Sequence, residues 1–119
     1  MAEQFVGKSF PRFDADKVTG KARFINDIKT PRMLYGKILY SKRPHARIAH
    51  IDTSKAEKLH GVRAVLTGFN TPDVRVGFLG DQTALKRDKV RQFLDEVAAV
   101  SAINEETAEE ALELIHVEY

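Results

Sequence analysis

The last stretch of the chain leaves the least freedom to the fold. From Val97 to Ile103 the sequence is almost uniformly apolar, the composition of a strand buried on both faces. Asn104 follows as a good N-cap, and Glu105 and Glu106 stand where the positive end of a helix dipole favours carboxylates. Ala108, Ala111, Leu112 and Ile115 then recur at i, i+3, i+4 and i+7, so one side of a helix over 105–114 packs inward. His116-Val117-Glu118-Tyr119 resumes a strand pattern with almost no connector, which forces the helix to end near Leu114.

The middle of the chain reads as a strand, a turn, a second strand and a capped helix. Met33 to Ser41 is a strand candidate, and Lys42-Arg43-Pro44 supplies a turn with a fixed φ and one missing N–H. Over 46–52 apolar residues alternate, with Ala46, Ile48 and His50 on one face and Arg47, Ala49 and Ile51 on the other. Ser54-Lys55-Ala56-Glu57 has the spacing of a capping box and opens a helix over 54–60. Gly61 ends that helix in the left-handed conformation, and 62–67 alternates again as a strand. Gly68 to Asp73 breaks it, Val74 to Gly80 suggests a short strand entering a loop, and the polar residues 81–92 are expected to be exposed. Residues 1–20, punctuated by Pro11, Asp14, Asp16 and Gly20, read as an extended lead segment ahead of a domain over 21–119.

Composition narrows the function classes. The chain has 119 residues, enough for one domain with its own core, and no Cys, which removes disulfides, thiolate metal sites and iron–sulfur ligation. Its 19 cations and 17 anions are spread along the sequence, against a dedicated nucleic-acid binder. No apolar run reaches the roughly 20 residues that cross a bilayer, and Met1 to Phe5 lacks the order of a signal peptide, so the cytoplasm is the expected location.

Candidate chemistry is sparse. Gly7-Lys8-Ser9 echoes a phosphate-binding loop, but Ala2 stands where that loop needs its first Gly, and Gly20-Lys21-Ala22 lacks the metal-binding hydroxyl. His45 and His50 are five apart on a strand and so face opposite ways, while His60 and His116 have no flanking ligand set. His45 is expected to hydrogen-bond near the turn after Pro44. Ser9, Ser41, Ser54 and Ser101 lack a nucleophile elbow, and the pairs Asp14 with Asp16 and Glu105 with Glu106 carry no sign of acid–base work. Lys86-Arg87-Asp88-Lys89-Val90-Arg91 could contact phosphate, yet no aromatic residues interleave, and a solvated loop is the plainer reading. No catalytic, cofactor-binding or metal-ligating residue is assigned.

Several blocks together resemble the first domain of the large subunit of molybdenum hydroxylases, the family of xanthine dehydrogenases, aldehyde oxidoreductases, carbon monoxide dehydrogenases and hydroxybenzoyl-CoA reductases. They are Thr19 to Phe24, Ser41 to Asp52, Gly61 to Thr67, Leu85 to Arg91 and Val97 to Ala102. The resemblance implies an α+β fold of the α/β-hammerhead type, mixed strands with two short helices. One departure bears on a turn: members commonly carry Gly and an acidic residue before the Val-Ala-Ala-Val strand, whereas this chain has Leu94 before Asp95-Glu96, and Leu resists positive φ.

The resemblance also implies a non-catalytic domain that packs catalytic domains and companion subunits. The molybdopterin cofactor would be held by later parts of the large subunit, with iron–sulfur clusters and often FAD in companion domains or subunits. The isolated chain is then expected to carry no molybdenum, iron or flavin and no hydroxylase activity. Met1 lies only a few residues before the matched region, which suggests separate subunits of the prokaryotic kind. The pattern also stops inside a strand, as a cut piece would. Phe5, Val6, Phe10 and Phe13 are expected to form a docking arm that, in isolation, stays mobile or is covered by a second copy. The alternative is a free-standing binding module for a protein partner or an anionic ligand, acting through the basic loop at 86–91.

Overall fold

A computed structural model describes residues 15–119, which fall into two units, one ending at Pro31 and one running from Arg32 to Tyr119. In the first, α1 is a single helical turn, Ala15–Val18. The N–H groups of Lys21 and Ala22 close it by donating to the Asp16 carbonyl at 2.8 and 2.9 Å. This turn falls within the lead segment expected over 1–20, of which residues 1–14 lie outside the described residues. A 3₁₀ turn, Ile25–Asp27, follows, with the Asp27 carboxylate accepting from the Phe24 N–H at 2.9 Å. Phe5, Val6, Phe10 and Phe13, the expected docking arm, lie outside the described residues.

The second unit contains β1 (Tyr35–Tyr40), β2 (Ala46–Arg47), β3 (His50–Asp52), α2 (Ser54–Lys58) and β4 (Val62–Thr67). Then come β5 (Arg75–Val76), β6 (Gln82–Thr83), β7 (Lys89–Val90), β8 (Glu96–Ala102), α3 (Glu105–Glu113) and β9 (His116–Glu118). Three antiparallel strands in the order β1-β8-β4 form the main sheet. The mixed strands and short helices are those of an α+β hammerhead. The apolar strand is thus central, and its alternate residues decide the layers. Ala98, Val100 and Ala102 are buried, and the first two join Val65, Ala56, Ala111 and Ile115 in one core beneath α2 and α3. Small side chains at Ala56, Ala98, Ala108 and Ala111, all fully buried, let helices and sheet approach closely. Asn104 accepts from the Thr107 N–H at 2.8 Å and caps α3 as its sequence requires. Lys37 leans from β1 onto the Glu105 and Glu109 carboxylates of α3, which hold its ammonium charged well above the ordinary lysine range.

The other face of the sheet is only partly covered, contrary to the expectation of burial on both sides. Ile38, Ala99 and Leu66 stand in register across the three strands, and Ile38 and Leu66 are 41% and 43% exposed.

The strand expected over 46–52 is two strands. At Ile48 and Ala49 the backbone changes partner: the Ile48 N–H donates to Asp88, the Ala49 N–H to Glu118, both at 2.8 Å. So β2 pairs with β7, and β3 with β9. The alternation shifts phase at the change: buried Ile48 joins Val90 and Val97 in a second core cluster, Ile51 rather than the exposed His50 packs against it, and the expected faces over 46–52 hold only as far as Ala49.

The capping box is also corrected. Ser54 is already helical, and Thr53 precedes it as N-cap. Thr53 Oγ1 donates to Glu57 at 2.6 Å, and the Ser54 N–H donates to Asp52 Oδ1 at 2.9 Å. An Asp at the end of a strand thus makes the turn that the Ser was expected to make. Hydrogen bonds from the Ser54 side chain and then its backbone hold the Asp52 carboxyl below the usual carboxylate range. The folded pKa is below the unfolded one, so the contribution is present above about pH 4 and is lost as pH falls through the folded value. Acid titration of wild type and Asp52→Asn should show a stability gap at neutral pH that closes as the medium is acidified.

Gly61 has φ +96, as expected, and a Cβ there would stand 3.0 Å from Ile103.

Candidate functional site

The segment between β4 and β8 surrounds a crevice of about 660 Å³, lined largely by Asp and Arg side chains with Lys86 and Gln92. The basic run at 86–91 was expected to be a solvated loop; instead its first residue is inside. Lys86 is 8% exposed, and Leu85 and Val90 are buried with it. Its Nζ donates to the Thr83 carbonyl at 3.2 Å and lies 3.6 Å from Asp95 and 3.7 Å from Glu96. Its N–H donates to the Glu96 carbonyl at 2.8 Å, which lays the loop alongside the start of β8. Gly68 makes room, since a Cβ there would stand 2.6 Å from the Lys86 carbonyl oxygen.

Asp95, 2% exposed, organises the other end. Its Oδ2 accepts from the Arg91 and Gln92 N–H groups at 2.6 and 3.2 Å, and its Oδ1 faces Lys86. Its carbonyl accepts from the Ser41 N–H at 2.8 Å, and the Ser41 carbonyl accepts from Leu94 at 3.2 Å. Ser41, fully buried, also closes the turn before Pro44: its Oγ accepts from the Arg43 N–H and donates to the Arg43 carbonyl, each at 3.0 Å. His45, expected to serve that turn, is exposed at its end.

Leu94 occupies the left-handed region at φ +68 although it resists it, in the turn where the resembled family commonly carries Gly. The side chain is 57% exposed and gains little burial in return. A left-handed L-residue costs about 1–2 kcal/mol and a Gly loses about half of that advantage through its freer unfolded chain. Leu94→Gly should therefore raise stability by about 0.5–1 kcal/mol, read as a higher melting temperature.

The three arginines that line the crevice face anions. Arg87 donates to the Thr71 carbonyl at 2.7 Å and lies 3.9 Å from Asp73; Arg91 lies 3.9 Å from Asp88; Arg75 lies 4.0 Å from Asp73. Among the described residues no buried side-chain nitrogen or oxygen lacks a hydrogen-bond partner. The crevice is thus internally satisfied and offers no surplus positive charge to a phosphate, which removes the support for an anionic ligand at 86–91.

Two histidines missed as a pair do share a face. β3 sets His50 opposite Glu118, and Asp52 opposite His116, so four polar side chains alternate with Ile51 and Val117 on the two-stranded ladder. A long-range strand pairing of this kind leaves no signal in local spacing. Among the described residues, however, no three His, Asp or Glu side chains are grouped as a metal site needs, and with no Cys in the chain the donor set does not fit an iron–sulfur cluster. Ser54 is taken up by the Asp52 carboxylate in the turn before α2, and Glu105 serves α3 and Lys37. No helix among the described residues is long and apolar enough to cross a membrane.

Comparison with known proteins covers almost the whole chain. A family model described as aldehyde oxidase and xanthine dehydrogenase, a/b hammerhead domain, matches residues 19–119. A probable xanthine dehydrogenase subunit of Bacillus subtilis is 50% identical over 105 residues, 87% of this chain and 14% of the relative. The nicotinate dehydrogenase large molybdopterin subunit of Eubacterium barkeri is 40% identical over 119 residues, 98% of this chain and 28% of the relative. Among solved structures, reconstituted CO dehydrogenase from Oligotropha carboxidovorans superposes with a TM-score of 0.84 at 39% identity, over 95% of this chain and 15% of that one. Quinoline 2-oxidoreductase from Pseudomonas putida 86 gives 0.79 at 32% identity, over 91% and 15%. The chain therefore spans a small part of the length of these relatives.

Proposed function

The chain belongs to the aldehyde oxidase and xanthine dehydrogenase a/b hammerhead family, and from that premise we propose that it serves as an amino-terminal, non-catalytic packing domain of a molybdenum-hydroxylase-type large subunit. The domain proper spans about 21–119, behind a lead segment over 1–20. Its partners are the remainder of the large subunit and companion iron–sulfur and flavin subunits, in the cytoplasm, and the molybdopterin cofactor is held by those other parts.

The observation that carries this reading is the state of the crevice. A ligand site keeps polar groups aimed at what it binds, whereas here Lys86 and Asp95 spend theirs on Thr83, Glu96, Arg91 and Gln92. What they hold together is the junction of β1, β4 and β8, the frame on which other domains would be mounted. Chemistry in such an enzyme would come from the molybdenum centre, and this chain's residues fix position alone.

The isolated chain tests the non-catalytic part directly. Purified without a chelator, it should contain no stoichiometric molybdenum, iron or flavin and oxidise no aldehyde or N-heterocycle. Stoichiometric molybdenum with turnover would overturn the reading.

A further inference from the structure

Deepening that reading, we propose that the β5–β6 hairpin is an anchor, and that its apolar residues Val74, Val76, Phe78 and Leu79 insert into an apolar groove supplied by the rest of the large subunit. Asp73 and Arg75 alternate with Val74 and Val76, and the polar pair lines the crevice, where it meets Arg87 and the Asp81 carbonyl. The apolar residues meet nothing comparable. Val74 and Val76 are 59% and 42% exposed, and Leu79 and Phe78 are 78% and 104% exposed.

A two-stranded ribbon is at best marginally stable in water unless something covers an apolar face, and β5 pairs with β6 through only Arg75 with Thr83 and Val76 with Gln82. The turn between them is nonetheless a shaped one. Gly77 and Gly80 take left-handed φ of 89° and 62°, and the Gly80 N–H donates to the Gly77 carbonyl at 3.2 Å, so Phe78 and Leu79 are held out at the tip. A large aromatic presented on a short turn is the kind of residue that dominates an interface once it is desolvated in a pocket.

The occupant follows from two observations. The crevice behind the hairpin pairs its cations with its anions, so nothing in it draws the hairpin to an anionic lipid surface. In the Bacillus subtilis relative the matched segment is 14% of the length, and in the superposed CO dehydrogenase 15%, so most of each chain lies outside it. That remainder is the covering partner of the right origin, always present and tethered to the domain.

Hydroxyl-radical footprinting tests this on the unmodified chain. A hybrid of the Bacillus subtilis relative, with this chain in place of the matched segment, is compared with the isolated chain. Oxidation of Phe78 and Leu79 should slow at least about fivefold in the hybrid, as expected of a desolvated anchor. A second arm carries Phe78→Ser with Leu79→Ser, which should weaken the hybrid's resistance to proteolysis while leaving the melting of the isolated chain unchanged. A hybrid that accumulates with Phe78 oxidised as fast as in the isolated chain overturns the anchor and leaves the packing-domain reading standing. One that fails to accumulate where the native relative does overturns both. Protection in the isolated chain that grows with its own concentration assigns the hairpin to a second copy, and protection by anionic vesicles assigns it to a membrane; either overturns the proposal.

Discussion

Asp95→Ala is expected to lower the free energy of unfolding by about 3 kcal/mol, the scale reached when one partner of a buried ion pair is removed. Two losses combine. The Arg91 and Gln92 N–H groups lose their shared acceptor at 2.6 and 3.2 Å, and Lys86, 8% exposed, loses one of its two anions. Glu96 at 3.7 Å and the Thr83 carbonyl still face the ammonium, which keeps the cost from rising further. Lys86→Met should cost less, because Asp95 keeps both backbone donors, and the double variant should lose less than the sum of the two single changes. Urea unfolding of the four proteins reads all of this; a loss below about 1 kcal/mol for Asp95→Ala would mean that the turn does not depend on its carboxylate.

Gly68→Ala is expected to cost about 2–3 kcal/mol, through crowding alone. The added Cβ would stand 2.6 Å from the Lys86 carbonyl oxygen and 2.9 Å from its carbon. That backbone cannot simply retreat, since the Lys86 N–H is bonded to Glu96 at 2.8 Å and so to β8. Gly36 provides the comparison within the same sheet. Its nearest neighbour would be the Val100 carbonyl oxygen at 3.9 Å, an ordinary contact, so Gly36→Ala should be neutral or stabilise by up to about 1 kcal/mol. Equal melting temperatures for the two variants would contradict the close approach at Gly68.

Both predictions concern the part of the fold that the sequence concealed. Local signals were legible wherever a single element decides its own residues: β4 begins and ends at the expected positions, Asn104 caps α3, and Gly61 takes its left-handed φ. What could not be read locally was which distant strand each residue meets. Alternation from Ala46 names Ile48 as buried but not the change of partner from β7 to β9 at Ile48 and Ala49, after which Ile51 rather than His50 turns to the core. A run of charges at 86–91 hides that Leu85 and Val90 are core residues and that Lys86 meets Asp95. The same holds at the helix start, where a Ser-to-Glu spacing outweighed an Asp two residues earlier.

At Leu94 a local rule was correct yet overridden. Leu does resist positive φ, but the bonds from Leu94 to Ser41, from Ser41 to Asp95 and from the Asp95 carboxylate to Arg91 and Gln92 over-determine the turn. The strain is held by its surroundings, as strained positions generally are. The candidate site followed the same pattern. That the chain carries no catalytic constellation was an expectation from residue types and spacing, whereas the neutral, self-satisfied crevice and the exposed hairpin beside it emerged only from tertiary pairing.

Turnover of the Bacillus subtilis hybrid, per molybdenum bound and against the native relative, tests the central claim most directly. A domain that supplies position alone, on a backbone 50% identical over 105 residues, should sustain turnover within about 100-fold of the native protein, the cost of a roughly 1 Å misplacement remote from the chemistry. A hybrid that loads molybdenum normally yet has no turnover would contradict the account, because a loss far beyond the roughly 100-fold of misplacement would place an essential chemical group within the exchanged segment.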